Sequence, residues 1–102
     1  MVTAIVLINC EREHINDVSQ KLLSFQGVTE VFSVAGQYDL VAILRVQNNE
    51  QIADLVTEHI RGVNGIARTE TLMAFKVFSK YDLEHMFAIG AEDEGERTTA
   101  KG

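Results

Sequence analysis

Val34-Ala35-Gly36-Gln37-Tyr38-Asp39-Leu40-Val41-Ala42-Ile43 is a turn-forming stretch that runs straight into an unbroken apolar one, and it lies between two units of similar design. In each unit an amphipathic run ends at a glycine that opens an alternating apolar run: Gly27-Val28 in the first, Gly65-Ile66 in the second. Both glycines stand where the residue closing a helix needs a positive φ. The order strand, helix, strand, strand, helix, strand predicts an α+β, ferredoxin-like βαββαβ domain.

Working outward from that stretch, residues 40–46 form one strand and residues 28–34 the strand before it, joined by a short glycine-containing turn and therefore antiparallel. Strict alternation over 28–34 puts Val28, Glu30, Phe32 and Val34 on one side and Thr29, Val31 and Ser33 on the other. Residues 2–8 are apolar and largely β-branched, which suits a central strand. Ile15, Val18, Leu22 and Phe25 recur at helical spacing, with Asn16, Asp17, Ser19, Gln20 and Lys21 supplying the wet face. Asn48 or Asn49 can cap a second helix, with Glu50 in its first turn and Ile52, Leu55, Val56, His59 and Ile60 as its buried stripe. The last strand is expected over residues 66–78, long for a small domain and suited to pairing with another chain.

At 102 residues with 46% hydrophobic composition the chain holds one domain. We expect the folded unit at residues 1–79, a short helical extension at 80–89 and a charged, glycine-rich disordered tail at 90–102. The net charge of −6 opposes a free-standing nucleic-acid binder, whose footprint is a basic face. Cys10 is the single cysteine, which excludes an intrachain disulfide and any metal site of several cysteines within the chain. Met1-Val2-Thr3-Ala4 has no basic leader region, and no run approaches the roughly 20 apolar residues of a membrane span. A cytoplasmic protein is expected.

In Leu40-Val41-Ala42-Ile43-Leu44 and Leu72-Met73-Ala74-Phe75 neighbouring residues face opposite sides, yet nearly all are hydrophobic. A split-βαβ sheet has helices on one face only, so its second face would expose more apolar surface than monomers usually tolerate. This predicts at least a dimer, with two sheets packed face to face.

The chemistry-bearing residues are dispersed. His14, His59 and His85 form no cluster and no metal-ligand spacing, so no cofactor or metal is expected. His59 reads as a structural histidine on an apolar stripe, His14 as an exposed first-turn residue and Cys10 as a small buried thiol. Gly36-Gln37-Tyr38-Asp39 stands apart. Its glycine lets backbone amides approach a ligand, and Asp39 can accept a hydrogen bond from an ammonium group. The plainer reading, which residue chemistry alone favours, is that Gly36 is a turn former while Asp39 bonds nearby backbone amides. Thr69 and Thr71 share one strand face; Arg68 and Glu70 share the other, as ion partners of little net energy.

Together, Val28-Thr29-Glu30-Val31, Gly36-Gln37-Tyr38-Asp39-Leu40 and Gly65-Ile66-Ala67-Arg68-Thr69-Glu70-Thr71-Leu72 resemble the C-terminal effector-binding domain of the Lrp/AsnC (feast/famine) regulators, over roughly residues 2–78. The resemblance implies a dimeric α/β barrel of ferredoxin-like protomers, with dimers assembling into octamers or similar rings. It implies a small effector, typically an amino acid, in a cleft between dimers. Gly36, Gln37, Tyr38, Asp39, Thr69 and Thr71 are the effector-binding candidates it points to, with Asp39 engaging the ammonium and Gly36 offering backbone contacts. Full-length relatives carry a DNA-reading helix-turn-helix ahead of this domain. The present sequence starts at its first strand and so resembles a stand-alone form without direct DNA binding, acting through oligomerisation or through full-length Lrp/AsnC regulators. The alternative is a small dimeric α/β-barrel enzyme of monooxygenase or isomerase type, for which His59 and Asp39 are the available residues.

Overall fold

Alternating burial defines the central strand β1 (Val2–Cys10): Ala4, Val6, Ile8 and Cys10 are buried under the helices, while Ile5, Leu7 and Asn9 point to the opposite side. The computed structural model describes residues 1–78 and 80. The expectations for the extension past Lys80 and for the tail at 90–102 lie outside the described residues. Strand β1 pairs antiparallel with β3 (Leu40–Val46) on one side and β4 (Ile66–Met73) on the other, and β2 (Val28–Ser33) completes the order β2-β3-β1-β4. This is the expected ferredoxin-like α+β sheet, with the 28–33 and 40–46 strands antiparallel.

Helix α1 (Ile15–Leu23) follows a 3₁₀ turn at Arg12–His14 and buries Val18 and Leu22. Its chain turns at Gly27, φ +104°, and the second helical run turns into β4 at Gly65, φ +103°. These are left-handed conformations that a side chain rarely adopts. Of the two asparagines, Asn48 is the cap: its Oδ1 accepts from the Gln51 amide at 2.9 Å. Helix α2 (Asn49–Asp54) continues through a π turn at Leu55–His59 and a 3₁₀ turn at Ile60–Gly62.

The π turn corrects the expected stripe. Because it holds one residue more than an α turn, the inward position after Val56 falls to Ile60, which is 0% exposed, and His59 faces outward. There its ring lies 5.3 Å from that of Phe25. Two strand expectations are also corrected. A bulge between Val28 and Glu30 in β2 puts Val28 opposite Leu44 and Val31 opposite Ala42, both on the helix side, and leaves Glu30 and Phe32 on the other. Alternation cannot be carried through a bulge, since the extra residue reverses every face beyond it. Strand β4 ends at Met73, opposite Ala4, rather than at residue 78; in that register Val2, where β1 begins, falls opposite residue 75, so β1 offers no partner beyond it. The bond from the Ala74 amide to the Thr3 carbonyl, 3.0 Å, is one step past the paired strand.

The core lies between sheet and helices and is wholly apolar among the described residues, with Val6, Ile8, Leu22, Leu40, Leu44 and Ile60 each 0% exposed. On the other face Ile5, Leu7, Val41 and Ile43 form half-buried rows with Phe32 and Leu72, which are 49% and 44% exposed. No element of the described chain covers this second face.

Candidate functional site

The β2–β3 hairpin is pinned to the far end of β1. The Val34 amide donates to the Asp39 carbonyl at 3.0 Å, closing the turn, and the Asp39 amide donates to the Ile8 carbonyl at 2.9 Å, extending the β3–β1 ladder. Asn9 Nδ2 donates to the Gln37 carbonyl at 2.8 Å. The Cys10 amide donates to Asp39 Oδ2 at 3.0 Å, and the Tyr38 hydroxyl donates to Glu70 Oε1 at 2.6 Å. Gly36, at φ +130°, has no atom within 4 Å of where a Cβ would stand, so its backbone faces open space.

These bonds decide between the two readings of the loop only in part. Asp39 does bond a backbone amide, yet that amide belongs to the end of β1 rather than to its own turn. Oδ1 has no hydrogen-bond partner among the described residues. Burial, then the charges of Asp39 and Glu11, raise the Cys10 thiol pKa above its ordinary value, so the thiol stays protonated and is a poor nucleophile.

The hydrogen bond to Glu70, followed by burial and the Glu70 charge, raises the Tyr38 phenol pKa above 10.0, against an opposing pull from Arg68. The folded-state value thus exceeds the unfolded one, so the bond's contribution is complete below pH 10.0 and is lost as pH rises through the folded pKa. An ultraviolet titration is expected to show one phenol ionising above the ordinary tyrosine value, and Glu70→Gln should move that step down. An unchanged titration in the variant would refute the strap.

Thr69 and Thr71 stand opposite Ile8 and Val6, so both point to the helix side of β4. With Val56, Arg61 and Arg68 they line an open cleft of about 540 Å³ at the outer edge of the sheet. The six candidates therefore fall into two groups at the same end of the sheet: Gly36 to Asp39 on the β3 side of β1, the threonines on the β4 side. Each of those strands lies about 4.8 Å from β1. The Arg68–Glu70 pairing is not formed, because Glu70 turns to Tyr38 instead. Asn9 and Arg61 were not singled out by sequence, and Glu70 was read only as an ion partner of Arg68. Only Asn9 carried a signal, as the polar residue that interrupts an apolar strand.

His59, one of the two residues available to the enzyme alternative, is exposed beside Phe25 and borders two open clefts, one with Arg45, Val46 and Asp54 and one with Asp17 and Glu58. Among the described residues no group of three or more His, Cys, Asp or Glu is placed to hold a metal, and no helix is long and apolar enough to cross a membrane.

The protein is thus a ferredoxin-like sheet with one uncovered face and a glycine-aspartate hairpin bonded to its end. Residues 3–83 match the family model described as the Lrp/AsnC ligand binding domain, and the chain belongs to that family. A crystal structure from Thermus thermophilus is similar at 39% identity and TM-score 0.73, with 78% of this chain matching 100% of that one. An uncharacterized HTH-type transcriptional regulator of Pyrococcus furiosus is 32% identical over 72% of this chain and 51% of its own length. The chain thus spans about half the length of the curated regulators it matches first. A feast or famine regulatory protein of M. tuberculosis, solved in complex with L-methionine, shares the fold at 24% identity and TM-score 0.66, with 81% of this chain matching 56% of that one. Homocitrate synthase of Sulfurisphaera tokodaii is 26% identical over 74% of this chain but only 16% of the enzyme.

Proposed function

We propose that the chain is an amino-acid-sensing module of the Lrp/AsnC type, which binds a small effector through Gly36, Gln37, Tyr38, Asp39, Thr69 and Thr71. The observation that carries this reading is the hairpin end. An open glycine backbone and a carboxylate with one uncommitted oxygen stand together there, held rigid by bonds to Cys10 and Glu70. A rigid site spends less binding energy on ordering itself. The L-methionine complex of the M. tuberculosis relative supports an amino acid as the class of effector. A match confined to one-sixth of an enzyme supports a portable accessory module rather than the catalytic part.

In this reading the apolar face around Leu7, Ile43 and Phe32 is covered by the sheet of a second copy, and dimers join into octamers or similar rings. The effector lies in the cleft between dimers. It regulates transcription indirectly by its differential affinity for two assemblies, or for mixed assemblies with full-length Lrp/AsnC regulators.

A thermal-shift panel of the common L-amino acids tests the site. A ligand at 100 times its Kd adds about 2.7 kcal/mol of stability. Asp39→Asn keeps an acceptor for the Cys10 amide while removing the charge. The expected result is stabilisation by one or a few amino acids that this variant loses without losing its own fold; equal stabilisation of both proteins would remove Asp39 from the site.

A further inference from the structure

The geometry points to a carboxylate-binding role for Arg61 and Arg68, in the cleft that they line with Thr69 and Thr71 at the outer edge of β4. Arg45 is paired with Glu30 at 3.9 Å, Lys21 lies over the Phe25 ring and Lys76 over that of Phe78. Arg61 and Arg68, like Arg12, have no ion-pair or ring partner among the described residues, although Arg68 lies near enough to Tyr38 to pull on its phenol. In a chain of net charge −6 this is a conspicuous reserve of positive charge, and both side chains border one cleft.

Two local features keep Arg68 free of an ion pair. Glu70, the acid closest to Arg68 along the strand, has its Oε1 engaged by the Tyr38 hydroxyl. The pairing of β1 with β4 shifts between Asn9 and Cys10: Asn9 faces Arg68 and Cys10 faces Ile66, leaving Ala67 as an extra residue. A bulge of this kind re-aims the side chains beside it, which explains how Arg68 borders the same cleft as the threonines of the other face. Strand β4 is also last in the sheet order, so its outer edge has no neighbouring strand among the described residues.

A guanidinium presents a planar fork of N–H donors that matches a carboxylate, while threonine hydroxyls supply neutral hydrogen bonds. Resting on the reading of Thr69 and Thr71 as effector residues, the cleft takes the α-carboxylate of an effector whose ammonium is held by Asp39 of a neighbouring copy, because within one protomer Asp39 and the cleft lie on opposite sides of β1, too far apart for two groups on one Cα. Opposite charges on separate groups would select zwitterions over simple amines or acids.

The test is calorimetric titration of the full chain and its Arg61→Gln, Arg68→Gln and doubly substituted variants. The probes are the common L-amino acids, the carboxamide of any that binds, inorganic phosphate and succinate. The expected result is that the carboxamide binds wild type at least about tenfold more weakly than the acid, a typical penalty for losing a charge-assisted hydrogen bond. The double variant should bind both about equally. If acid and carboxamide bind alike and the arginine variants are unaffected, the arginine assignment is overturned while the amino-acid reading stands. If no amino acid binds but phosphate or succinate binds through the arginines, the oxyanion cleft stands and the amino-acid reading falls. Binding of none of the probes overturns both.

Discussion

Leu44→Ala is expected to lower stability by about 3 to 5 kcal/mol, the cost of emptying a site that the surrounding core cannot refill. Leu44 is 0% exposed and belongs to the apolar core shared by sheet and helices. A small domain has only about 5 to 15 kcal/mol in total, so the variant should be largely unfolded at modest urea concentration. Ile43, the adjacent residue, points to the uncovered face and is half-buried. Its replacement by alanine should cost much less in an isolated protomer. If a second copy covers that face, the loss from Ile43→Ala will grow with protein concentration, because stability of an assembly includes its association. Urea denaturation of both variants at two concentrations well apart separates the faces. A loss in Ile43→Ala that ignores concentration would remove the face-to-face dimer.

Gly27→Ala should be the next most damaging substitution, and Gly36→Ala the comparison that explains why. At Gly27 the backbone sits at φ +104° and a Cβ would meet Val46 Cγ1 at 2.9 Å and Leu55 Cδ2 at 3.0 Å. Backbone strain of about 1 to 3 kcal/mol and an overpacking cost of similar size both apply. At Gly36, φ +130°, the new methyl group meets nothing within 4 Å, so only the backbone strain remains. Gly27→Ala should therefore lose roughly twice as much stability in thermal melts as Gly36→Ala. Gly36→Ala should instead show its effect in ligand binding, since it alters the hairpin that carries the proposed site. Equal melting temperatures for the two variants would contradict the packing described around Gly27.

Periodicity read from sequence located all four strands and both helices, because each alternation or helical repeat reflects one face meeting one core. It failed where the chain locally adds a residue. The π turn at Leu55–His59 moved His59 out of the buried stripe, and the bulge after Val28 exchanged the faces of Glu30, Val31 and Phe32. Neither device changes composition, so neither leaves a mark on a hydrophobic pattern. The length of β4 failed for a different reason. Residues 74–78 have strand-like composition, but a strand lasts at most as far as its neighbour, and the register sets Val2, where β1 starts, opposite residue 75.

The hairpin stood out in the sequence because glycine, tyrosine and aspartate together interrupt two strands. Its anchors did not: Asn9 lies 28 residues from Gln37, Cys10 lies 29 from Asp39, and Glu70 lies 32 from Tyr38. Arg61 was equally silent, an ordinary charge at the end of a helix until the fold set it beside Thr69.

By itself, then, the sequence determined the order of elements, the apolar character of both sheet faces, the positive-φ glycines and the family. Those properties follow from local backbone preference and from the count and spacing of apolar residues, which are written along the chain. Only the tertiary structure decided which carboxylates are already committed, which arginines are left without partners and on which side of β1 each half of the proposed site stands. Such pairings are settled by strand order and register, which bring together residues that no short-range pattern connects.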